Sequence, residues 1–92
     1  MSLRQQARGR PCQIRVPSIC NDNAETTVGC HYRMAGLSGI GSKPHDLFIA
    51  WGCSACHAYV DTHKRDEYAK LCFAEGVLRT QAILLEEDLI NA

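Results

Sequence analysis

The spacing of apolar and polar residues changes several times along the chain. In Cys12-Gln-Ile-Arg-Val-Pro-Ser-Ile-Cys20, Ile14 and Val16 alternate with Gln13 and Arg15. This predicts a short strand or extended loop that Pro17 ends. Asn21-Asp22-Asn23 is turn chemistry. Thr26-Thr27-Val28 then favours a strand that could run through Cys30-His31-Tyr32. Gly36, Gly39, Gly41 and Pro44 punctuate a loop over 34–45. The run Leu47-Phe48-Ile49-Ala50-Trp51 reads as a buried strand that leads straight to Cys53. A helix is expected after Cys56, with a break near Asp61-Thr62. Over 66–88, Tyr68, Leu71, Cys72, Leu78, Ala82 and Leu85 recur at three- and four-residue steps, the mark of a C-terminal helix. Asp61 or Thr62 could cap it, Asp66 and Glu67 suit its first turn, and Gly76 weakens its interior by about 1 kcal/mol relative to Ala. Extended segments, then a Cys/His turn, then helix predict a small α+β domain.

Length then limits how such a domain holds together. Ninety-two residues make one domain with a marginal core, which commonly needs a metal or disulfides as a staple. Six cysteines (12, 20, 30, 53, 56, 72) offer either. The opening MSLRQQARGR has no apolar core of a signal peptide, and no run is long enough to span a membrane. The expected compartment is therefore cytoplasmic, where such cysteines serve metals. Residues 1–11 read as an irregular basic arm. Net charge is zero, but residues 1–65 carry eight Lys/Arg against four acids, and residues 66–92 carry two against six. The positive field falls on the stretch that holds the Cys/His cluster, and nucleic acid is its natural partner.

Cys53-Ser-Ala-Cys56 has the spacing of half a zinc site. Structural zinc takes four ligands, and Cys12 and Cys20 are the best candidates for the other half, with Cys30 able to replace one of them. Cys72 lies on the apolar stripe of the last helix and reads as core. The histidines are then left over. His45, beside Pro44 in a loop, reads as structural. His57 follows the C-x-x-C pair directly, Asp61 lies four residues on and shares its helix face, and His63 lies six on. Histidine with carboxylate suits a second, open site for a divalent ion.

These residues resemble the HNH (ββα-metal) nucleases: two cysteines, a strand ending in His31, then C-x-x-C-H. More narrowly, SLRQQARGRPCQIRVPSIC, ETTVGCHYRMAG, KPHDL and CSACH are similar to a group of small phage- and prophage-encoded proteins classed as nucleases. The resemblance implies a zinc-stapled treble-clef, HNH-like domain that hydrolyses phosphodiester bonds in DNA. It implies His31 as general base, Asp46 orienting it, and His57 holding Mg²⁺ or another divalent ion. Either Asp61 or His63 would complete that site; the pattern does not choose. Asp46 stands seven residues before Cys53, a wide gap for its role. Arg33, Lys43, Lys64 and Arg65 flank these positions and could hold phosphates.

A non-catalytic zinc module that binds nucleic acid or a phage protein explains the thiols equally well, but has no use for the set His31, His57 and Asp61. A thiol redox protein lacks the expected βαβ surroundings of C-x-x-C. So small a chain leaves little surface for base readout. Weak sequence selectivity and strong salt dependence are expected, with targeting left to other phage proteins.

Overall fold

The structure, a computed structural model, describes residues 3–37 and 44–90. Lys43 lies outside the described residues, so its expected phosphate contact has no structural counterpart here.

Two short antiparallel strands form the centre: β1, Val28–His31, and β2, Ile49–Gly52. Val28 pairs with Gly52 and His31 with Ile49. Every residue of β2 is buried, because both faces of the hairpin are covered. Ala50 packs with Cys12, Ile14, Cys30, Val60 and Val77. Ile49 and Trp51 point the other way, to Ala7 and Leu84. Two helices follow, α1 (Ser54–Thr62) and α2 (Glu67–Glu86). The Cys53 side chain caps α1 by accepting the Cys56 N–H. Asp66, rather than Asp61 or Thr62, caps α2 by accepting from the Ala69 N–H.

The segment from Cys12 to Cys20 forms turns rather than a strand. Arg15 and Ser18 have φ of 53° and 67°, and Asp22 has 54°. Left-handed backbone costs a non-glycine residue about 1 kcal/mol, and it breaks any strand register. One ladder-like bond survives, from Gln13 N–H to the Trp51 carbonyl at 2.6 Å. The expected strand over 47–51 starts only at Ile49, since Asp46–Phe48 is a 3-10 turn.

The described part of the N-terminal arm is not wholly irregular. Arg4–Ala7 is a 3-10 turn, and Ala7 is buried against β2 and α2. Arg10 pairs with Glu87 through both guanidinium nitrogens and lies 4.7 Å over the Trp51 ring. Part of the basic arm is thus neutralised by the acidic tail, and Arg10 is taken up in the fold.

The face of α2 also differs from expectation. Tyr68, Leu71, Leu78, Ala82 and Leu85 are exposed. The buried face is Ala69, Cys72, Gly76, Val77, Thr80 and Leu84. Small residues lie inward because the Cys12 loop comes against the helix backbone. A Cβ on Gly76 would stand 3.1 Å from the Gln13 carbonyl oxygen and 3.1 Å from Ile14 Cα. That loop is further held by Arg79, which donates to the Gln13 carbonyl at 2.7 Å. Across the loop, Ile14 fills the place of a Gly52 side chain, whose Cβ would lie 2.5 Å from Ile14 Cδ1.

Gly76→Ala separates propensity from packing. Alanine gains about 1 kcal/mol in a helix, but here it meets pinned backbone, and overpacking of this kind costs about 1–3 kcal/mol. A net loss of stability is expected in denaturant unfolding; a rise in the midpoint would contradict the close approach.

Candidate metal centre and adjoining cleft

Cys12, Cys20, Cys53 and Cys56 come together, with all four sulfurs within 4.8 Å of one another. The Sγ atoms of Cys20 and Cys53 are 3.9 Å apart, and all six cysteines are free thiols. Four sulfurs placed tetrahedrally about 2.3 Å from a zinc ion would be about 3.8 Å apart. The foursome therefore fits a metal such as zinc in both donor type and spacing. Backbone amides point at the sulfurs, as thiolates require: Arg15 N–H to Cys12 Sγ at 3.4 Å and Cys56 N–H to Cys53 Sγ at 3.3 Å.

The thiols do not titrate alike. Burial raises Cys20 to about 11 and drives Cys56 well above the ordinary thiol range. Cys53 is buried too, yet donors from the Asn21 and Cys56 backbone outweigh that and bring it down to about 7. Cys30 is absent from the foursome, and burial lifts it to about 12. Cys72 is buried on α2, as expected of core.

Beside this centre is a cleft of about 400 Å³ that brings together His31, Arg33, His57, Asp61 and Lys64. His31 comes from the end of β1; His57 and Asp61 come from one face of α1. Asp46 holds His31, with Oδ1 2.8 Å from Nε2. The seven-residue gap to Cys53 is spanned by β2 and by the 3-10 turn that carries Asp46 back over His31. His45 builds that turn, its Nδ1 accepting the Leu47 N–H at 2.9 Å, which is the structural use expected of it.

His63 does not line the cleft. Its ring stacks on Tyr59 with centroids 4.0 Å apart, and Nδ1 donates to the Tyr59 carbonyl at 2.9 Å. Arg65 is exposed and outside the cleft lining. His31, His57 and Asp61 share the cleft without closing on one point: among the described residues, the four cysteines are the group of metal-ligating side chains gathered so closely. Sequence reasoning missed Lys70, Tyr32 and Phe73, which also line the cleft. Lys70 lies in the acidic stretch, where a base drew no notice; its place four residues after the Asp66 cap, at the mouth of α2, was the available signal.

A small α+β domain with a four-thiol centre beside a histidine-bearing cleft is the class these features define. The chain belongs to the family described as "Putative nuclease YbcO", whose model matches residues 1–89. It is 53% identical over 93 residues to the protein "Putative nuclease YbcO" of Escherichia coli (strain K12), covering 98% of this chain and 97% of that one. The same figures hold for "Putative nuclease ybcO" of Enterobacteria phage 82. A solved structure titled "Structure of a putative bacteriophage protein", from Escherichia coli, superposes with a TM-score of 0.78 at 47% identity, over 95% of this chain and 100% of that one. No described helix is long and apolar enough to cross a membrane.

Metal content tests the division between centre and cleft. Cys53→Ser should lose the tightly held ion, whereas His57→Ala should keep about one per chain. Because protons compete with metal for thiolates, the ion should be released as pH falls. Elemental analysis after gel filtration reads all three; an ion lost in His57→Ala but kept in Cys53→Ser would reverse the assignment.

Proposed function

We propose that this chain is a metal-dependent endonuclease of the HNH type, hydrolysing phosphodiester bonds in DNA, with zinc as the structural ion of the four cysteines. The observation that carries this reading is the Asp46-held His31 in the same cleft as His57 and Asp61. A closed zinc module has no need of such a group. The nuclease names of its relatives point the same way.

The chemistry follows from the contacts. A carboxylate only accepts hydrogen bonds, so the proton of the His31 imidazole sits on Nε2 toward Asp46, and the lone pair is left on Nδ1. Nδ1 can then take a proton from the attacking water. His57 and Asp61, one turn apart on α1, would hold Mg²⁺ or another divalent ion. Two protein ligands leave positions open for water and substrate. Such an ion, when bound, polarises a phosphoryl oxygen and stabilises the leaving 3′ oxygen. Asp61 is preferred to His63 because it lines the cleft while His63 is turned back on Tyr59. Arg33 and Lys64 contact the phosphates from the rim.

The test is plasmid nicking by the zinc-loaded protein with Mg²⁺, Mn²⁺ or Ni²⁺. His31→Ala should slow nicking about 100-fold or more, and Asp46→Ala about tenfold or more, with zinc content unchanged. If the unaltered protein nicks no faster than His31→Ala with any of these ions, the enzyme reading fails and a binding module remains.

A further inference from the structure

The cleft is larger and more apolar than a metal and a phosphate require. Its inner wall is Tyr32, Phe73 and Val60, and Val60 is buried while the two rings are half-buried. Tyr32 and Phe73 meet edge to face with centroids 5.0 Å apart, so each ring holds the other in place. Three cations, Arg33, Lys64 and Lys70, line the same cleft. They arrive from separate elements: the segment after β1, the turn after α1, and the first turns of α2.

Consider what can fill that shape. A duplex presents phosphates and sugars on its outside and keeps its base faces stacked. It could meet the cations, but would leave the aromatic wall in water. An unpaired nucleotide carries an apolar, stackable base and an anionic phosphate on one small body, and matches both halves of the cleft. A volume of about 400 Å³ lies in the range of pockets that enclose a small organic group. Aromatic walls beside cations are how proteins hold single strands without reading sequence.

We infer that the cleft takes one unpaired nucleotide, its base against Tyr32 and Phe73 and its phosphate on Lys70 and Arg33, and that the substrate is single-stranded or locally unpaired DNA. This rests on the reading of the cleft as the place where the nucleic-acid strand is held. It adds a substrate class, and it gives Lys70, Tyr32 and Phe73 a binding role.

Binding and cutting must be read separately, so that one can fail without the other. The zinc-loaded His31→Ala protein is titrated by fluorescence anisotropy against a labelled thymidine 12-mer and against a blunt duplex of equal length. Single strand should bind at least tenfold more tightly at moderate salt. In that background, Phe73→Leu should weaken the single strand five- to tenfold, as expected when a base–aromatic stack is lost, and leave duplex binding within twofold. Lys70→Gln should weaken both and lower the salt slope by about one. Zinc content and melting temperature check that each variant is folded. Equal or tighter duplex binding by the protein without the Phe73 or Lys70 changes overturns the inference whatever the variants do. So does a folded Phe73→Leu that keeps full single-strand affinity. If single strands bind preferentially but nothing is cut, the nucleotide site stands and the endonuclease reading falls.

Discussion

Four sulfurs within 4.8 Å of one another fix where separate pieces of this chain must start and stop. Cys12 and Cys20 close a loop; Cys53 follows β2 directly and caps α1, and Cys56 lies in the first turn of that helix. A loop with left-handed Arg15 and Ser18 would not hold that shape by its own preference. It is held because its two ends converge on the same point as the start of α1. With a metal in place, the thiols that burial keeps protonated become the strongest cross-link in a chain whose core is marginal.

The cluster alone would be a hinge. It becomes a platform because α2 grips the other side of the loop. Gly76 lets the Gln13–Ile14 backbone sit against the helix, and Arg79 bonds the Gln13 carbonyl. Thr80 accepts the Trp51 N–H from β2 and donates to the Gly76 carbonyl. These are polar groups in a buried place, each with a partner, so they fix orientation without leaving an unmet hydrogen bond. Strand, loop and helix are tied at neighbouring residues, and the hairpin that carries His31 inherits that rigidity.

Thiol pairs, strand candidates and the long helix were legible because each has a local signature. Metal ligands need short spacings, and a helix needs caps and apolar recurrence. What was not legible depended on contact between distant parts. The stripe Leu71, Leu78, Leu85 has the right period for a core face, but the face actually buried is the one with small residues. Close backbone approach requires Gly76 there, Thr80 bonds the Trp51 N–H, and hydrophobicity does not reveal such choices. Asp46 illustrates the same limit. Its distance from Cys53 in sequence was a poor guide, since a 3-10 turn folds it onto His31, and that turn depends on His45 as its cap. The arm was misread because a run rich in basic residues hides one buried alanine and one arginine committed to Glu87.

The adjacency of Cys56 and His57 follows from helix geometry. Successive residues on an α-helix are turned by about 100°, so two neighbours cannot point at one ion. Cys56 and Val60, four apart, are the buried residues of α1, with Val60 at the inner wall of the cleft, while His57 and Asp61, also four apart, are exposed and line its open side. One helix therefore offers two kinds of donor to two surroundings: sulfur to the four-cysteine cluster, nitrogen and oxygen to the open cleft. The four thiols are the donor set of a closed tetrahedral site for a metal such as zinc. The two cysteines also set the direction of the next residue: because Cys53 and Cys56 lie at the start of α1, His57 is presented to the cleft that His31 also lines.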